Sequence, residues 1–356
     1  MTTMKAIAVT EFGKPAQPIE RPVPKPGPGE VLLKTVSVGL NPYDFRARDI
    51  GLFLTPSSLP MVLGNDIAGV VKELGPGTEG VAGFGVGDLV FGQTNHGKQS
   101  ADQAGLQEYC VLDAYAAAKV PASLTADHGA SLPCNAVAAF WALFNEPALN
   151  LPSPFRTGAA AASSSSSVHG SSIVIVGGGS NCGRYAVQFA RLSGLFATVV
   201  AVAGPRHAET LKALGATHVV DRHGDEADVV ARVRAVVGDD CLVAVDAVNH
   251  EHSLGLACLS NTKKGKMATL CPGGEDPARI GEKRAGFEKV FSAGSSQNNP
   301  ELARGFWGAL PAWLESGEVK ALEWDVVEGL DVDRINAVWD LYRDGGAPER
   351  QVHVHL

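Results

Sequence analysis

The chain has 356 residues, 45% of them hydrophobic and 19% charged, a length and balance that suit two globular domains with a sizeable core. A formal charge of −8 without any basic cluster argues against nucleic-acid partners and against an anionic membrane surface. No apolar run approaches the ~20 residues that a membrane span needs, and a strand starting at Lys5 leaves no room for a signal peptide. Cys110, Cys134, Cys182, Cys241, Cys258 and Cys271 are scattered, with no C-x-x-C pair. They are expected to be buried free thiols of a reducing compartment, which makes the expected location cytoplasmic.

In chain order, strand-like runs at 5–9, 31–38, 67–74 and 88–91 are separated by Pro and Gly clusters, which predicts an all-β, loop-rich N-terminal unit. An alternating α/β unit starts near Pro133. Residues 158–170, rich in Ala and Ser, have no core-forming pattern and are expected to be a mobile surface loop. A buried strand over 173–176 then runs into the turn Gly177–Gly178–Gly179–Ser180–Asn181–Cys182–Gly183. A helix over 184–193 follows, with Ala186, Phe189 and Ala190 on one face and Gly194 as its stop. A strand at 197–202, a helix at 209–214 closed by Gly215, and a strand at 218–220 complete a mononucleotide-binding half. Strands at 242–248 and 266–270 extend the sheet. The tail reads as a helix at 301–316, a strand at 323–327, a helix at 331–343 and a strand at 351–356, and is expected to fold back onto the N-terminal unit. The predicted division is 1–132 with 298–356, and 133–297.

The glycine turn carries the chemistry. A helix N-terminus approached over residues without side chains is a pyrophosphate site, so Gly178, Gly179, Ser180, Asn181, Cys182 and Gly183 are the candidate cofactor contacts. The strict G-x-G-x-x-G spacing is not met, because Cys182 stands where the last glycine would fall; a tight strand-to-helix turn with no ligand is the alternative. After the second strand of such a sheet an acid reads the ribose 2′-hydroxyl of NAD, whereas a cation accepts the 2′-phosphate of NADP. Here the segment is Ala203–Gly204–Pro205–Arg206–His207, without a carboxylate. Arg206, with Arg222 as a second candidate, therefore predicts NADPH.

Several local motifs, in order, resemble the medium-chain dehydrogenase/reductase superfamily. Pro26–Gly27–Pro28–Gly29–Glu30–Val31–Leu32 resembles its P-G-x-G-E-V-L entry, and Asn41–Pro42–Tyr43–Asp44 the N-P-x-D of its zinc-free quinone-reductase branch. Val86–Gly87–Asp88–Leu89–Val90 resembles its G-D-x-V turn, and residues 105–109 its G-x-x-x-E-Y segment. The glycine turn is similar to the G-G-S-T-x-x-G of fungal trans-acting enoyl reductases. The resemblance implies a doubly wound Rossmann sheet of α/β class plus a GroES-like β-barrel-type catalytic domain, with the substrate cleft at the carboxyl ends of the Rossmann strands.

Zinc-dependent members carry Cys where this chain has Asn41 and G-H-E where it has Gly64–Asn65–Asp66, so no metal is expected. His353 and His355, on one face of the last strand, are expected to be surface residues. Without zinc to polarise an oxygen, the surviving chemistry is hydride transfer from NADPH to the C=C bond of an α,β-unsaturated carbonyl or enoyl thioester. A quinone reductase and a non-catalytic NADPH-binding protein are the alternatives. The resemblance places Asn41, Tyr43, Asp44, Arg46, Asn65 and Cys134 at the reaction site, with Tyr43 a candidate proton donor and Arg46 a candidate carbonyl or phosphate anchor. It puts Val248, Asn249, Pro272 and Gly273 beside the nicotinamide, with Ser292, Ala293 and Gly294 closing over it. Ala138–Ala139 replaces a common Thr-Ala, which removes a hydroxyl and leaves the substrate open. The implied partner is a small-molecule or carrier-bound unsaturated substrate of fungal secondary metabolism, the implied assembly a monomer or homodimer.

Overall fold

The computed structural model describes residues 2–78, 83–155 and 169–356; of the expected mobile loop, residues 158–168 lie outside the described residues. The chain divides into two compact units, Met1–Cys134 with Ser295–Leu356, and Asn135–Gly294.

The first unit contains β1 (Thr3–Val9), β2 (Gln17–Pro22), β3 (Glu30–Gly39), β4 (Met61–Val62), β5 (Asp66–Leu74), β6 (Leu89–Gln93), β7 (Tyr109–Asp113) and β8 (Ala117–Lys119). The C-terminal segment returns two more strands, β15 (Trp324–Glu328) and β16 (Gln351–His355). Among the described residues, the larger sheet runs β15-β16-β3-β5-β6-β8, with β7 also on β3, and a small sheet runs β2-β1-β4. β16 lies antiparallel to β3, His353 opposite Gly39 and His355 opposite Ser37. Ile7, Val38, Val354, Ile335 and Trp339 share one apolar core. The last two come from the helix Val332–Arg343.

Arg48 fixes the helix Pro42–Ile50 against that helix. Its guanidinium is buried, bonds Asp49 (2.6 Å) and Asp340 (2.7 Å), and lies 5.8 Å from the Trp339 ring centroid. The segment Asn41–Pro42–Tyr43–Asp44 lies in the unit expected to be all-β and loop-rich. It is instead the start of this helix, with Asn41 at the N-cap and Pro42 in the first turn, positions that both residue types favour.

The second unit holds β9 (Ser171–Val176), β10 (Phe196–Ala203), β11 (His218–Asp221), β12 (Cys241–Asp246), β13 (Gly265–Thr269) and β14 (Phe287–Phe291). Among the described residues they form a six-stranded sheet in the order β11-β10-β9-β12-β13-β14, all neighbours parallel. This is the 3-2-1-4-5-6 order of a dinucleotide-binding sheet, which turns around at β9 and β12. The β-branched runs of β9, β10 and β12 are buried, as a sheet covered on both faces requires. The predicted strand at 242–248 stops at Asp246, which leaves Val248 and Asn249 in the loop beyond it.

Candidate functional site

β9 ends at Val176 and the chain turns at Gly177, whose φ of 75° suits glycine. The helix Asn181–Leu192 begins under Ser180, whose hydroxyl accepts the Gly183 N–H at 3.0 Å. A Cβ on Gly183 would lie 2.2 Å from the Gly177 oxygen and 2.7 Å from the Gly178 Cα, so only glycine permits this tight a turn. The first turn of a three-turn helix, with its partial positive charge, thus abuts bare backbone at Gly178 and Gly179. Asn181 and Cys182 occupy that first turn, and the Cys182 thiol donates to Asn135 Oδ1 at 3.3 Å.

Arg206 lies in a short turn after β10 and Arg222 just after β11, both exposed. The Arg222 Nε is 4.0 Å from the Cβ position of Gly204, so both arginines stand at the end of β10. The nearest strand-end acid, Asp221, is engaged by His223 at 2.7 Å. Two further residues belong to this corner and were missed in the sequence. Arg184 reaches His207 Nδ1 at 3.4 Å, and Arg206 Nε reaches His207 Nε2 at 3.1 Å.

At the end of β12 the buried Asp246 organises the next loop. Its Oδ1 accepts the Val248 N–H (3.2 Å) and the Asn249 N–H (3.0 Å), and its Oδ2 faces His252 Nδ1 at 3.2 Å. Val248 packs on Gly177. The Pro272 carbonyl accepts from His250 Nδ1 at 2.7 Å, and Gly273 lies directly against the His250 carbonyl. After β14 the Ser292 N–H donates to Thr269 at 2.9 Å, Ala293 follows, and Gly294 lies on Ala138. These residues follow the carboxyl ends of β12, β13 and β14, the same edge as the glycine turn after β9.

The first unit gathers a second group around a buried carboxylate. Asp66 Oδ2 accepts from Asn41 Nδ2 (2.7 Å) and Gln351 Nε2 (3.1 Å), and its Oδ1 accepts the Cys134 N–H. Asp44 Oδ2 accepts the Asn41 N–H at 2.8 Å and its Oδ1 the Gly64 N–H at 3.3 Å. Burial pushes both carboxyls up to about 7, against the pull of these donors. The Asn65 Oδ1 accepts from Thr94 at 2.9 Å, while its buried Nδ2 has no hydrogen-bond partner. The half-buried Tyr43 stacks on Phe53, ring centroids 6.2 Å apart, and its hydroxyl donates weakly to the Leu52 carbonyl at 3.5 Å. Burial, with Asp44 and Cys134 adding to it, pushes that phenol well above its ordinary value. Arg46 holds its guanidinium 5.7 Å from the Phe45 ring. Among the described residues no group of three His, Cys, Asp or Glu side chains is placed to hold a metal ion.

Two expectations need correction. His353 is not a surface residue but fully buried, its ring stacked on Trp324 with centroids 5.6 Å apart and facing Asp127 of the helix Ala126–Ala130. His353 Nδ1 (3.0 Å), His355 Nε2 (2.8 Å) and the Ser37 hydroxyl (2.7 Å) all converge on Asp127 Oδ1. None of the six cysteines is in a disulfide, but only Cys110, Cys241 and Cys258 are buried; Cys134, Cys182 and Cys271 are half-buried.

The Asp127 cluster has a checkable consequence. Burial disfavours its charge, but the bonds from His353, Ser37 and His355 outweigh burial and hold the carboxyl below its ordinary 3.8. A depressed acid adds stability that is fully present above the ordinary value and is lost as pH falls from there through the lower folded value. Asp127→Ala is therefore expected to cost about 2 kcal/mol at pH 7, the scale of a lost buried acceptor. The difference from the parent should shrink below pH 4 in urea unfolding curves; an equal loss at both pH values would refute the assignment.

A parallel sheet of this order, with a capped glycine turn at its crevice edge, defines the dinucleotide-binding class of α/β protein. Residues 27–122 match the alcohol dehydrogenase GroES-like domain, and residues 182–306 match the zinc-binding dehydrogenase domain. The chain is 30% identical over 350 residues to the dehydrogenase orsE of Emericella nidulans, covering 94% of each chain. It is 33% identical over 232 residues to the trans-enoyl reductase tazE of Aspergillus terreus, covering 64% of this chain and 71% of that one. An alcohol dehydrogenase superfamily protein from Novosphingobium aromaticivorans has the same fold, with a TM-score of 0.77, 24% identity and 99% of each chain covered. The chain belongs to the medium-chain dehydrogenase/reductase superfamily and is an oxidoreductase of that superfamily. The GroES-like match lies within the first unit, and the six-stranded parallel sheet is that of the second. No helix among the described residues is long and apolar enough to cross a membrane.

Proposed function

We propose that the protein uses NADPH to reduce the C=C bond of an α,β-unsaturated carbonyl or enoyl thioester, without a metal ion. One observation carries this reading. Where zinc-dependent members hold their ligands, this chain has Asn41, Asn65 and Asp66, and Asn41 and Asp66 are bonded to each other at 2.7 Å. Asp66 is further committed to Gln351 and Cys134, so the donor set fits a structural clamp and not a metal.

NADPH, when bound, supplies the hydride. The glycine turn and the Ser180-capped helix suit its pyrophosphate. Arg206 and Arg222 suit a 2′-phosphate, which guanidinium groups bind in a forked geometry. The loops held by Asp246, at Val248 and Asn249, and the segments at Pro272, Gly273 and 292–294 are assigned to the nicotinamide side. Tyr43 retains its phenolic proton across the working pH range and is the assigned donor to the reduced product; Arg46 is the assigned anchor for the carbonyl or a phosphate. The names of similar proteins support the reading, since they include several fungal trans-enoyl reductases. They also keep a quinone acceptor in view, because a chloroplast envelope quinone oxidoreductase homolog of Arabidopsis thaliana is 33% identical over 223 residues.

The test is oxidation of NADPH and of NADH, each against the same enones, enoyl thioesters and quinones. Alkene-dependent loss of NADPH is expected, with little from NADH. Turnover confined to quinones would replace the substrate class, and turnover only of saturated alcohols would overturn the reading. Tyr43→Phe should lower kcat by about 10²-fold, the usual contribution of a positioned acid, with binding of NADPH unchanged. An unaltered kcat would remove Tyr43 from the mechanism.

A further inference from the structure

The loops beyond β12 and β13 are joined into one ledge. Gly274 pairs with Glu251 in a single parallel bridge. The Gly274 N–H donates to the His250 carbonyl at 3.2 Å, and the Gly274 carbonyl accepts the His252 N–H at 2.9 Å. The Pro272 carbonyl faces His250 Nδ1 at 2.7 Å. These contacts tie 272–274 to the loop that Asp246 orders. Pro272, Gly273 and Gly274 are nevertheless exposed, so apolar burial does not hold them.

Lys289, the middle residue of β14, supplies a tie from the other side. Its side chain is only 19% exposed, and its Nζ donates to the Gly273 carbonyl at 2.8 Å and to the Glu275 carboxylate. Three rotatable donors on one ammonium suit two oxygens from different points of a loop. The next residue, Glu288, falls on the opposite face of the strand and pairs with Lys264 at 2.6 Å, so it does not compete for the ammonium. The Gly273–Gly274 peptide is thereby gripped at both ends. Its carbonyl accepts from Lys289 and its N–H donates to His250. In a trans peptide these two groups point in opposite directions, so neither can turn without breaking a bond. An exposed segment fixed in this way is preorganised rather than packed.

We propose that Lys289 is a positioning residue for the nicotinamide half of the cofactor, acting through the Gly273–Gly274 peptide. The inference rests on the assignment of Pro272 and Gly273 to the nicotinamide side. Lys289 presets the seat of the ring and takes no part in the transfer of hydride or proton. Glu275 holds the ammonium over the Gly273 carbonyl.

The test needs no turnover. NADPH and adenosine 2′,5′-bisphosphate, which lacks the nicotinamide half, are titrated calorimetrically into the parent, Lys289→Met and Glu275→Gln. Lys289→Met is expected to weaken NADPH about ten-fold, the scale of one charge-assisted bond, and to leave the bisphosphate unchanged. Glu275→Gln keeps the ammonium–carbonyl bond and should weaken NADPH about three-fold, the scale of a partly exposed ion pair, again with the bisphosphate unchanged. Glu275→Gln carries the test alone if thermal unfolding shows that Lys289→Met has lost its fold. Equal weakening of both nucleotides would assign the pair to general stability of the sheet and overturn the proposal. Unchanged NADPH affinity in the folded variants would overturn it too, with the NADPH reading left standing. Failure of the parent to bind NADPH would overturn that reading and this inference together.

Discussion

Asp66→Ala is expected to lower the unfolding free energy by about 4 kcal/mol. The Asp66 carboxyl, fully buried, accepts from the Asn41 amide, the Gln351 amide and the Cys134 N–H, which come from three distant segments. Each orphaned buried donor costs about 1–3 kcal/mol, and neighbours in one network do not add fully. Urea unfolding at pH 7.5 measures the loss; a change under about 1 kcal/mol would mean that water replaces the carboxylate. The same cluster has a pH signature. Asp44 and Asp66 are both raised to about 7 from 3.8, chiefly by burial. Between those values the native state binds more protons than the unfolded chain, so their contribution is greatest below pH 4 and declines as pH rises to 7. The stability of the parent relative to Asp44→Asn should decline across that window. A difference that is flat, or that rises with pH, would show that both acids are ionised throughout.

Gly183→Ala should damage nucleotide binding more than any other single methyl in the second unit. The added carbon would sit 2.2 Å from the Gly177 oxygen, so the turn must open. Overpacking of this kind costs about 1–3 kcal/mol, and displaced backbone N–H groups should weaken NADPH binding by more than about ten-fold, one such hydrogen bond being worth that much. Gly308→Ala is the matched control. Gly308 is exposed within the helix Pro300–Glu315, and a Cβ there meets nothing within 4 Å, so a gain of up to about 1 kcal/mol is expected. Thermal unfolding and fluorescence titration of both variants separate the effects. Unchanged NADPH affinity in Gly183→Ala would detach the turn from the cofactor.

The sheet of the second unit was legible where burial on both faces demands unbroken β-branched runs. Val174, Val176, Val200 and Val202 are such positions, all in one core. β14 escaped notice because Phe287–Glu288–Lys289–Val290–Phe291 carries two charges and lies at the sheet edge, where half-burial tolerates them. The helix Pro42–Ile50 has no counterpart in the all-β, loop-rich unit expected there, although Asn41 and Pro42 form a normal N-terminal signal; nine polar-rich residues gave too little apolar period to follow it. The alternation in Gln351–Val352–His353–Val354–His355 suggested one wet face, but the neighbours β15 and β3, the helix Ala126–Ala130 and Trp324 cover His353. The glycine turn was legible because its meaning is local. The Asp66 clamp was not, because Gln351 meets it from 285 positions away, a separation that no periodicity encodes.

β16 lies between β15 and β3 in the sheet of the first unit, whereas the second unit is one continuous stretch, Asn135–Gly294. During synthesis the order of assembly is therefore nested. The Rossmann sheet has all its strands while the ribosome is still short of β16, but the β-rich unit, begun first, is finished last. Until then β3, paired with β7 over Glu30–Lys34, lacks its partner over Ser37–Gly39, and Asp66 and Asp127 lack Gln351, His353 and His355. Making that pairing joins segments more than 300 residues apart, a long loop in a topology that folds slowly. A chain clipped before β16 would thus leave that part of β3, and the carboxylates of Asp66 and Asp127, without those partners.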